Sequence, residues 1–217
     1  MSQNDFERLS SLNVLIVGVG GLGGNVANGL VRLGVKQFKL VDYDRFDLSN
    51  LNRQLFSNID NVGKYKVEVV KNELLKIHPK CMIETSILNI KNIKDTDLSE
   101  FDYIIDAVDD IETKVFLSKL AAKLEIPLLH GACAGWYGQV GWILPGNQLL
   151  QELYENVAMG MEKELMNPSF TPSAVASFMV AEFLKMIQHS NETTINELLL
   201  IDVRNNSLLK TGGKQHD

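Results

Sequence analysis

Cysteine is scarce in this sequence: Cys81 and Cys133 are the only two in 217 residues. Two thiols cannot build a disulfide framework, and with no C-x-x-C pair no structural zinc is expected. The expected compartment is a reducing cytosol, so the chain reads as cytoplasmic. Positive charge is in deficit, with 21 Lys and Arg against 27 Asp and Glu and a formal net charge of -6. Without a basic stripe, neither nucleic acid nor a membrane surface is the expected partner. No apolar run approaches the ~20 residues that a membrane span needs. The polar start MSQNDFERLSS has neither signal- nor transit-peptide character. Repeats, low-complexity stretches and domain linkers are also missing, so residues 1–217 read as a single domain.

Hydrophobic residues make up 45% of the chain, an ordinary globular share. The first half alternates short β-branched runs with amphipathic stretches. Residues 13–18 (NVLIVG), 39–42 (KLVD), 82–88, 103–106 (YIID) and 127–130 read as buried strands. Residues 21–33, stopped by Gly34, residues 62–77, ended by His78-Pro79, and residues 111–124 read as helices. This alternation predicts an α/β fold, a Rossmann-like and mostly parallel sheet with helices on both faces. From Gly131 to Gly146, five glycines and both tryptophans predict a turn-rich loop. Within that stretch a strand over about 139–144 and a turn at Pro145-Gly146 are expected. Residues 149–165 predict a helix or a mobile crossing segment. Thr171-Pro172 predicts a helix start, with the Thr171 hydroxyl as cap and proline where its missing N–H is harmless. That helix, running to about His189, is apolar nearly all round and should be buried, in part against a second copy of the chain. Residues 198–203 read as a last strand, and the tail TGGKQHD is expected to be disordered.

Gly18-Val19-Gly20-Gly21-Leu22-Gly23 falls between the first strand and the first helix. In that context G-x-G-x-x-G binds nucleotide phosphates. Glycines permit the tight turn and let backbone N–H groups close on phosphate at a helix N-terminus. Asp42 ends the second strand, placed to accept hydrogen bonds from ribose hydroxyls. The loop does not separate NAD from ATP, and by itself it suggests an NAD-dependent oxidoreductase.

The following segments separate the two. Residues 42–44 (DYD), 48–54 (LSNLNRQ), 61–66 (NVGKYK) and 104–110 (IIDAVDD) lie beyond strand carboxyl ends, where parallel sheets bind ligands. Arg53, Lys66 and Asp109 around one phosphate loop exceed what hydride transfer requires. They suit transfer at phosphorus, with two cations against developing negative charge and a carboxylate to hold Mg²⁺.

In this order, GVGGLG (18–23), VDYD (41–44), SNLNRQ (49–54), Gly63-x-x-Lys66 and DAVD (106–109) resemble the ThiF/MoeB adenylyltransferases, relatives of the ubiquitin-activating enzymes. The resemblance continues in GACAGWYGQV (131–140) and NPSFTPSAVASFMVAEFLK (167–185). It implies that the Rossmann-like sheet is continued by antiparallel strands and a buried C-terminal helix. It also implies ATP-dependent adenylation of a carboxylate. In that scheme Asp42 binds the ATP ribose, and Gly18, Gly20, Gly21 and Gly23 approach the phosphates. Asn50, Arg53 and Gln54 line the triphosphate, Lys66 contacts it from the first turn of its helix, Asp109 ligates Mg²⁺ and Asp44 supports from behind. The carboxylate, ionised at neutral pH, attacks the α-phosphorus, and pyrophosphate leaves. No His or Ser nucleophile is needed.

The implied substrate is the C-terminal glycine of a small ubiquitin-like sulfur carrier protein in thiamine or molybdopterin synthesis. Alternatives are a small-molecule carboxylate, such as the pyridinol carboxylate of the Fe-hydrogenase cofactor, and threonylcarbamoyl-adenosine in tRNA. The chain departs from the family in places. Residues 148–171 hold no cysteine, so no covalent step through the crossover loop is implied. Cys133 reads as a small buried residue ahead of a reactive thiol, and Cys81 as incidental. The N-terminal arm is short, which leaves Arg8 as a surface charge or as a cation offered to a partner's site. His130 reads as a polar wall of the pocket. The apolar late helix and the tryptophan segment imply a homodimer.

Overall fold

A computed structural model describes residues 1–155 and 168–211. Helix α1 (Gln3–Ser11) leads into β1 (Asn13–Val17), α2 (Gly21–Leu33), β2 (Gln37–Val41), α3 (Lys66–Ile77) and β3 (Met82–Ser86). Then come β4 (Tyr103–Asp106), α4 (Ile111–Leu124), β5 (Leu128–Ala134) and β6 (Tyr137–Ile143). Helices α5 (Leu149–Tyr154) and α6 (Phe170–Ile187) precede β7 (Leu199–Asp202) and β8 (Ser207–Lys210). The strands form one sheet in the order β3-β2-β1-β4-β5-β6-β7-β8. Pairing is parallel from β3 to β5 and antiparallel from β5 to β8. This is the expected α/β architecture.

Both faces of the sheet are covered, which is why the central strands are apolar at nearly every position. On one side Val14, Ile16, Leu40 and Leu129 join a core with residues of α2, α3 and α6. On the other, Leu15, Val17, Ile104 and Leu128 pack with Leu117, Leu120 and Ala121 of α4 and Leu150 of α5. The chain leaves β1 toward β2 and β3 and returns on the opposite side as β4. The carboxyl ends of β1 and β4 therefore frame a crevice at a topological switch point.

Several boundaries differ from the sequence reading. Residues 62–65 are not helical. They pair back on 44–46, with Phe46 N–H donating to the Lys64 carbonyl and Gly63 N–H to the Phe46 carbonyl, and Gly63 sits at φ +85°. Arg45 lies over the Tyr65 ring at 3.6 Å and fixes this return. Residues 131–138 are not a loop: β5 runs to Ala134, turns through Gly135-Trp136 and pairs with β6 from Tyr137 onward. Thr171 is not a helix cap. Helix α6 begins two residues earlier, at Phe170, its cap residue Ser169 makes no side-chain cap bond, and the Thr171 hydroxyl donates to the Gly135 carbonyl at 2.6 Å. Strand β8 has no counterpart in the sequence reading. Of residues 149–165, Leu149–Tyr154 form a helix, and the part beyond 155 lies outside the described residues, as does the tail after Thr211.

Contrary to the sequence reading, α6 is long and apolar enough to pass for a membrane span, with a mean hydropathy of 1.3. Its composition reflects packing on two fronts. Val175, Met179 and Phe183 bury in the core with α2 and the sheet, and Trp142 donates its Nε1–H to the Glu182 carbonyl at 3.1 Å. Glu182 is buried too, and its Oε2 accepts from Thr194 N–H at 2.7 Å.

Candidate active site

The crevice is a cleft of about 220 Å³ whose walls come from segments far apart in sequence. The turn after β1 supplies the floor. Gly18 has φ +83°, and a Cβ there would meet the Ala107 carbonyl oxygen at 2.7 Å. Only glycine fits, because the loop lies flat against the turn after β4. Gly20 and Gly21 complete the floor at the start of α2, where no side chain caps the helix. That end keeps the donor capacity with which helix N-termini hold anions. Gly23 does not line the cleft. A Cβ on it would stand 1.9 Å from the Gly18 carbonyl oxygen, so its part is to let α2 pack against the loop.

Asp42, just past β2, accepts from Val19 N–H through Oδ2 and from Asp44 N–H through Oδ1, each at 2.9 Å. The carboxylate thereby ties the glycine loop to β2 while lining the cleft. Burial pushes its pKa above the usual range, against the pull of the Lys66 ammonium and the two N–H bonds. Lys66 opens α3, its side chain only 9% exposed, with Nζ 2.9 Å from Asp44 Oδ2. An ammonium has three donors, so one ion pair leaves capacity for a ligand. Backbone pairing prepares the contact, since Lys66 N–H donates to the Asp44 carbonyl at 3.0 Å.

Arg53 and Gln54 come from the loop after a single-turn helix over Leu48–Asn50. Asp47 caps that turn through Ser49 N–H, and Asn50 Oδ1 returns a bond to Asp47 N–H at 3.1 Å. Asn50 is spent on building the loop; it is buried and does not line the cleft. Arg53 Nη1 donates to the Ser49 carbonyl and to Asn52 Oδ1, both at 2.9 Å. Gln54 is 8% exposed, and its Oε1 has no hydrogen-bond partner among the described residues. An orphaned amide oxygen on the wall of a cleft is what a bound ligand's donor would satisfy.

Asp109 sits exposed on the turn between β4 and α4, and its carboxylate accepts no hydrogen bond from the described residues. Among those residues no group of three or more His, Cys, Asp or Glu is arranged to hold a metal. A hard divalent cation bound through a single protein carboxylate would be held by Asp109 and would supply charge neutralisation there. Tyr43, within the 42–44 segment that the sequence places at the ligand edge without giving it a role, also lines the cleft; so do residues 88–90, which sequence reasoning missed although they too follow a strand end. Burial raises the Tyr43 pKa, helped by the carboxylates of Asp44, Asp110 and Asp109.

His130 is not a wall of this cleft. It is fully buried, with Nδ1 2.7 Å from Asp106 Oδ2. Burial lowers its pKa more than Asp106 raises it. Burial raises the Asp106 pKa, but the Lys114 ammonium and the His130 hydrogen bond outweigh it, and the result is a lowered value. Cys133 lines the cleft, half-buried, whereas Cys81 is a core residue whose Sγ lies 3.9 Å from the Val35 carbonyl oxygen. Arg8 is away from the cleft lining, its Nη2 2.9 Å from His189 Nε2 just beyond α6.

Of the residues singled out from the sequence, the fold thus brings Gly18, Gly20, Gly21, Asp42, Asp44, Arg53, Gln54, Lys66 and Asp109 to one cleft, and leaves Gly23 and Asn50 behind it. The family model described as "ThiF family" matches residues 1–216. The chain belongs to the ThiF family. Among curated relatives, it is 30% identical over 215 residues to a sulfur carrier protein adenylyltransferase of Thermus thermophilus, covering 94% of this chain and 79% of that one. It is 37% identical over 133 residues to the tRNA threonylcarbamoyladenosine dehydratase of Bacillus subtilis, covering 59% of this chain and 52% of that one. Against several relatives, this last included, the ThiF-family chain spans about half of their length or less. Among solved structures, E. coli MccB with ATP superposes at a TM-score of 0.79 and 23% identity, over 95% of this chain and 65% of that one. At that identity the likeness establishes the fold.

Proposed function

We propose that this ThiF-family chain is an ATP-dependent adenylyltransferase that activates a carboxylate. The observation that carries the reading is the meeting of Arg53, Lys66 and Asp109 with the glycine loop in one cleft, beside the unsatisfied Gln54 Oε1. A carboxylate oxygen of the substrate bonds to the α-phosphorus as the bond to the bridging oxygen breaks, and pyrophosphate leaves with that electron pair. The chain contributes position and charge: Arg53 and Lys66 draw off negative charge, and Asp42 orients the ribose. Asp109 would hold Mg²⁺, which supplies further charge neutralisation on the phosphates. An NAD-dependent oxidoreductase has no use for this set of charges.

The substrate proposed first is the C-terminal glycine of a ubiquitin-like sulfur carrier protein, which the 94% coverage by the Thermus thermophilus relative favours. A small-molecule carboxylate or a modified tRNA base is the second reading, favoured by the lack of any cysteine in residues 148–171 and by the dehydratase relative. A reducing cytoplasm belongs to the same proposal. So does a homodimer. Trp142, Val175, Met179 and Phe183 are buried within one chain, whereas Trp136 and Phe170, their ring centroids 4.7 Å apart, stay exposed, as do Leu48, Leu51, Leu55, Ile59 and Val62 along the loop that carries Arg53. Carboxylate-dependent ATP–pyrophosphate exchange, run against a panel of carrier proteins and small acids, tests the reading. No exchange with any of them, together with tight NAD binding, would overturn it.

A further inference from the structure

Behind the cleft lies a chain of buried polar side chains that the adenylation scheme does not use. The alternation that sends Ile104 and Leu128 into the core beside α4 puts Asp106 and His130 on the same face, and the two are register partners across β4 and β5. Asp106 Oδ2 takes the His130 Nδ1–H at 2.7 Å. Asp106 Oδ1 accepts from Val108 N–H at 3.2 Å and from the Lys114 ammonium at 3.4 Å, and Lys114 also donates to the Gly131 carbonyl at 2.9 Å. With its proton on Nδ1, the His130 ring accepts at Nε2 from Gln139 Nε2 at 3.0 Å. The second amide hydrogen of Gln139 goes to the Tyr154 hydroxyl at 2.6 Å. Asp106, Lys114 and His130 are each 1% exposed or less. The two ends are open to different spaces. Val108 and Asp109 line the nucleotide cleft, while Lys114, Gln139 and Tyr154 line an adjoining, largely apolar cavity of about 500 Å³.

We propose that His130 is a positioning residue for the metal-holding carboxylate. It fixes Asp106, Asp106 fixes the turn through Val108, and the turn presents Asp109 to the cleft, with Gln139 and Tyr154 bracing the ring from the second cavity. The inference rests on the nucleotide reading above. Outer partners that orient a metal ligand typically set about 10–100-fold in metal affinity.

The test is calorimetric binding of α,β-methylene-ATP, with Mg²⁺ and with EDTA. His130→Ala should weaken binding of the magnesium complex about tenfold and change metal-free binding less than about twofold. His130→Asn, whose amide can still donate to Asp106, should recover most of the loss. Gln139→Leu, which frees the ring without touching Asp106, should show a smaller loss of the same magnesium-selective kind, and it carries the test if His130→Ala does not fold. Equal weakening with and without metal, or no change in Gln139→Leu and His130→Ala alike, would overturn the proposal while leaving the nucleotide site standing. A wild-type chain that binds neither form would overturn both.

Discussion

Lys66→Met separates a catalytic charge from a structural one. Methionine fills a similar buried volume, so the first turn of α3 keeps its packing. What goes is the ion pair with Asp44, whose side chain is 54% exposed. Solvent screening holds such a pair to about 1 kcal/mol or less. For a domain of this size that is about 2–4 °C in Tm. Asp42 loses the nearby ammonium that works against its burial, so its carboxyl pKa rises further and the local cost at neutral pH stays small. The effect on turnover is of another order. A charge aimed at a developing phosphoryl charge is worth about 10²–10³ in rate, or ~2.7–4 kcal/mol of barrier. The expected outcome is a nearly unchanged melting curve beside exchange slowed at least a hundredfold. Scanning calorimetry and ATP–pyrophosphate exchange on the same preparation check it. If exchange falls less than tenfold, Lys66 does not meet the transferring phosphoryl group. If Tm drops by more than ten degrees, the ion pair is structural and the loss of rate says nothing about chemistry.

Gly23→Ala should destabilise without touching a ligand: its Cβ would meet the Gly18 carbonyl oxygen at 1.9 Å, so α2 must move off the loop at a cost of about 3 kcal/mol, measurable by urea denaturation. Thr171→Val should cost about 1 kcal/mol through the lost bond to Gly135, whereas Ser169→Ala should be silent; the reverse pattern would restore a capping role at the start of α6. Stability should also fall on acidification, in two stages. His130 has its pKa lowered by burial, so between its folded value and 6.5 the unfolded chain binds the extra proton and stability rises with pH. Asp106, also lowered, adds a second loss below 3.8, while Asp42, raised by burial, opposes it just above 3.8. The stability gap between wild type and His130→Asn should therefore narrow from pH 7 to pH 5, and a constant gap in denaturation midpoints would contradict the assignment.

The nucleotide half of the site is legible in the sequence because its residues follow local rules. A strand ending in glycine, an acid at the next strand end and a lysine near the start of the following helix are each visible within a few positions, and parallel topology brings them together. Asn50 and Gly23 are misplaced by such reasoning because proximity in a motif does not say which way a side chain points. Asn50 turns back to Asp47, and Gly23 meets the loop behind it. The antiparallel half is less legible. Glycines 131 and 138 look like turn residues but lie inside strands, where the sequence reading already places Gly141, and a Cβ at these three would stand 2.3 Å from Met179 Sδ, 2.1 Å from Val175 Cγ2 and 2.1 Å from the Glu197 carbonyl oxygen. They are small because α6 and a neighbouring segment press on the sheet, a tertiary reason with no local signature. The Lys114–Asp106–His130 cluster is hidden in the same way, since only strand register places His130 beside Asp106.

The extension of β5 past His130 has a consequence for how a substrate reaches the nucleotide. The strand's continuation through Ala132 and Cys133 places two small side chains on the boundary between the nucleotide cleft and the larger cavity, and both residues line both spaces. Under the adenylation reading, an acyl group in the larger cavity meets the α-phosphorus by passing these two residues, so their size sets the width of the passage. The cavity walls, with Leu153, Ile201 and Leu209 among them, offer mainly apolar contact. Asp202 is turned to its own loop by Arg204 and Asn205, and Lys114 is held by Asp106 and Gly131. With those two charges engaged, recognition of the carboxylate is expected from the nucleotide side, and discrimination among acids from the shape of the cavity and from the polar groups of Tyr137, Gln139, Tyr154 and Ser207 on its wall. Enlarging residue 132 or 133 should therefore slow adenylation of bulky acids while leaving ATP binding intact.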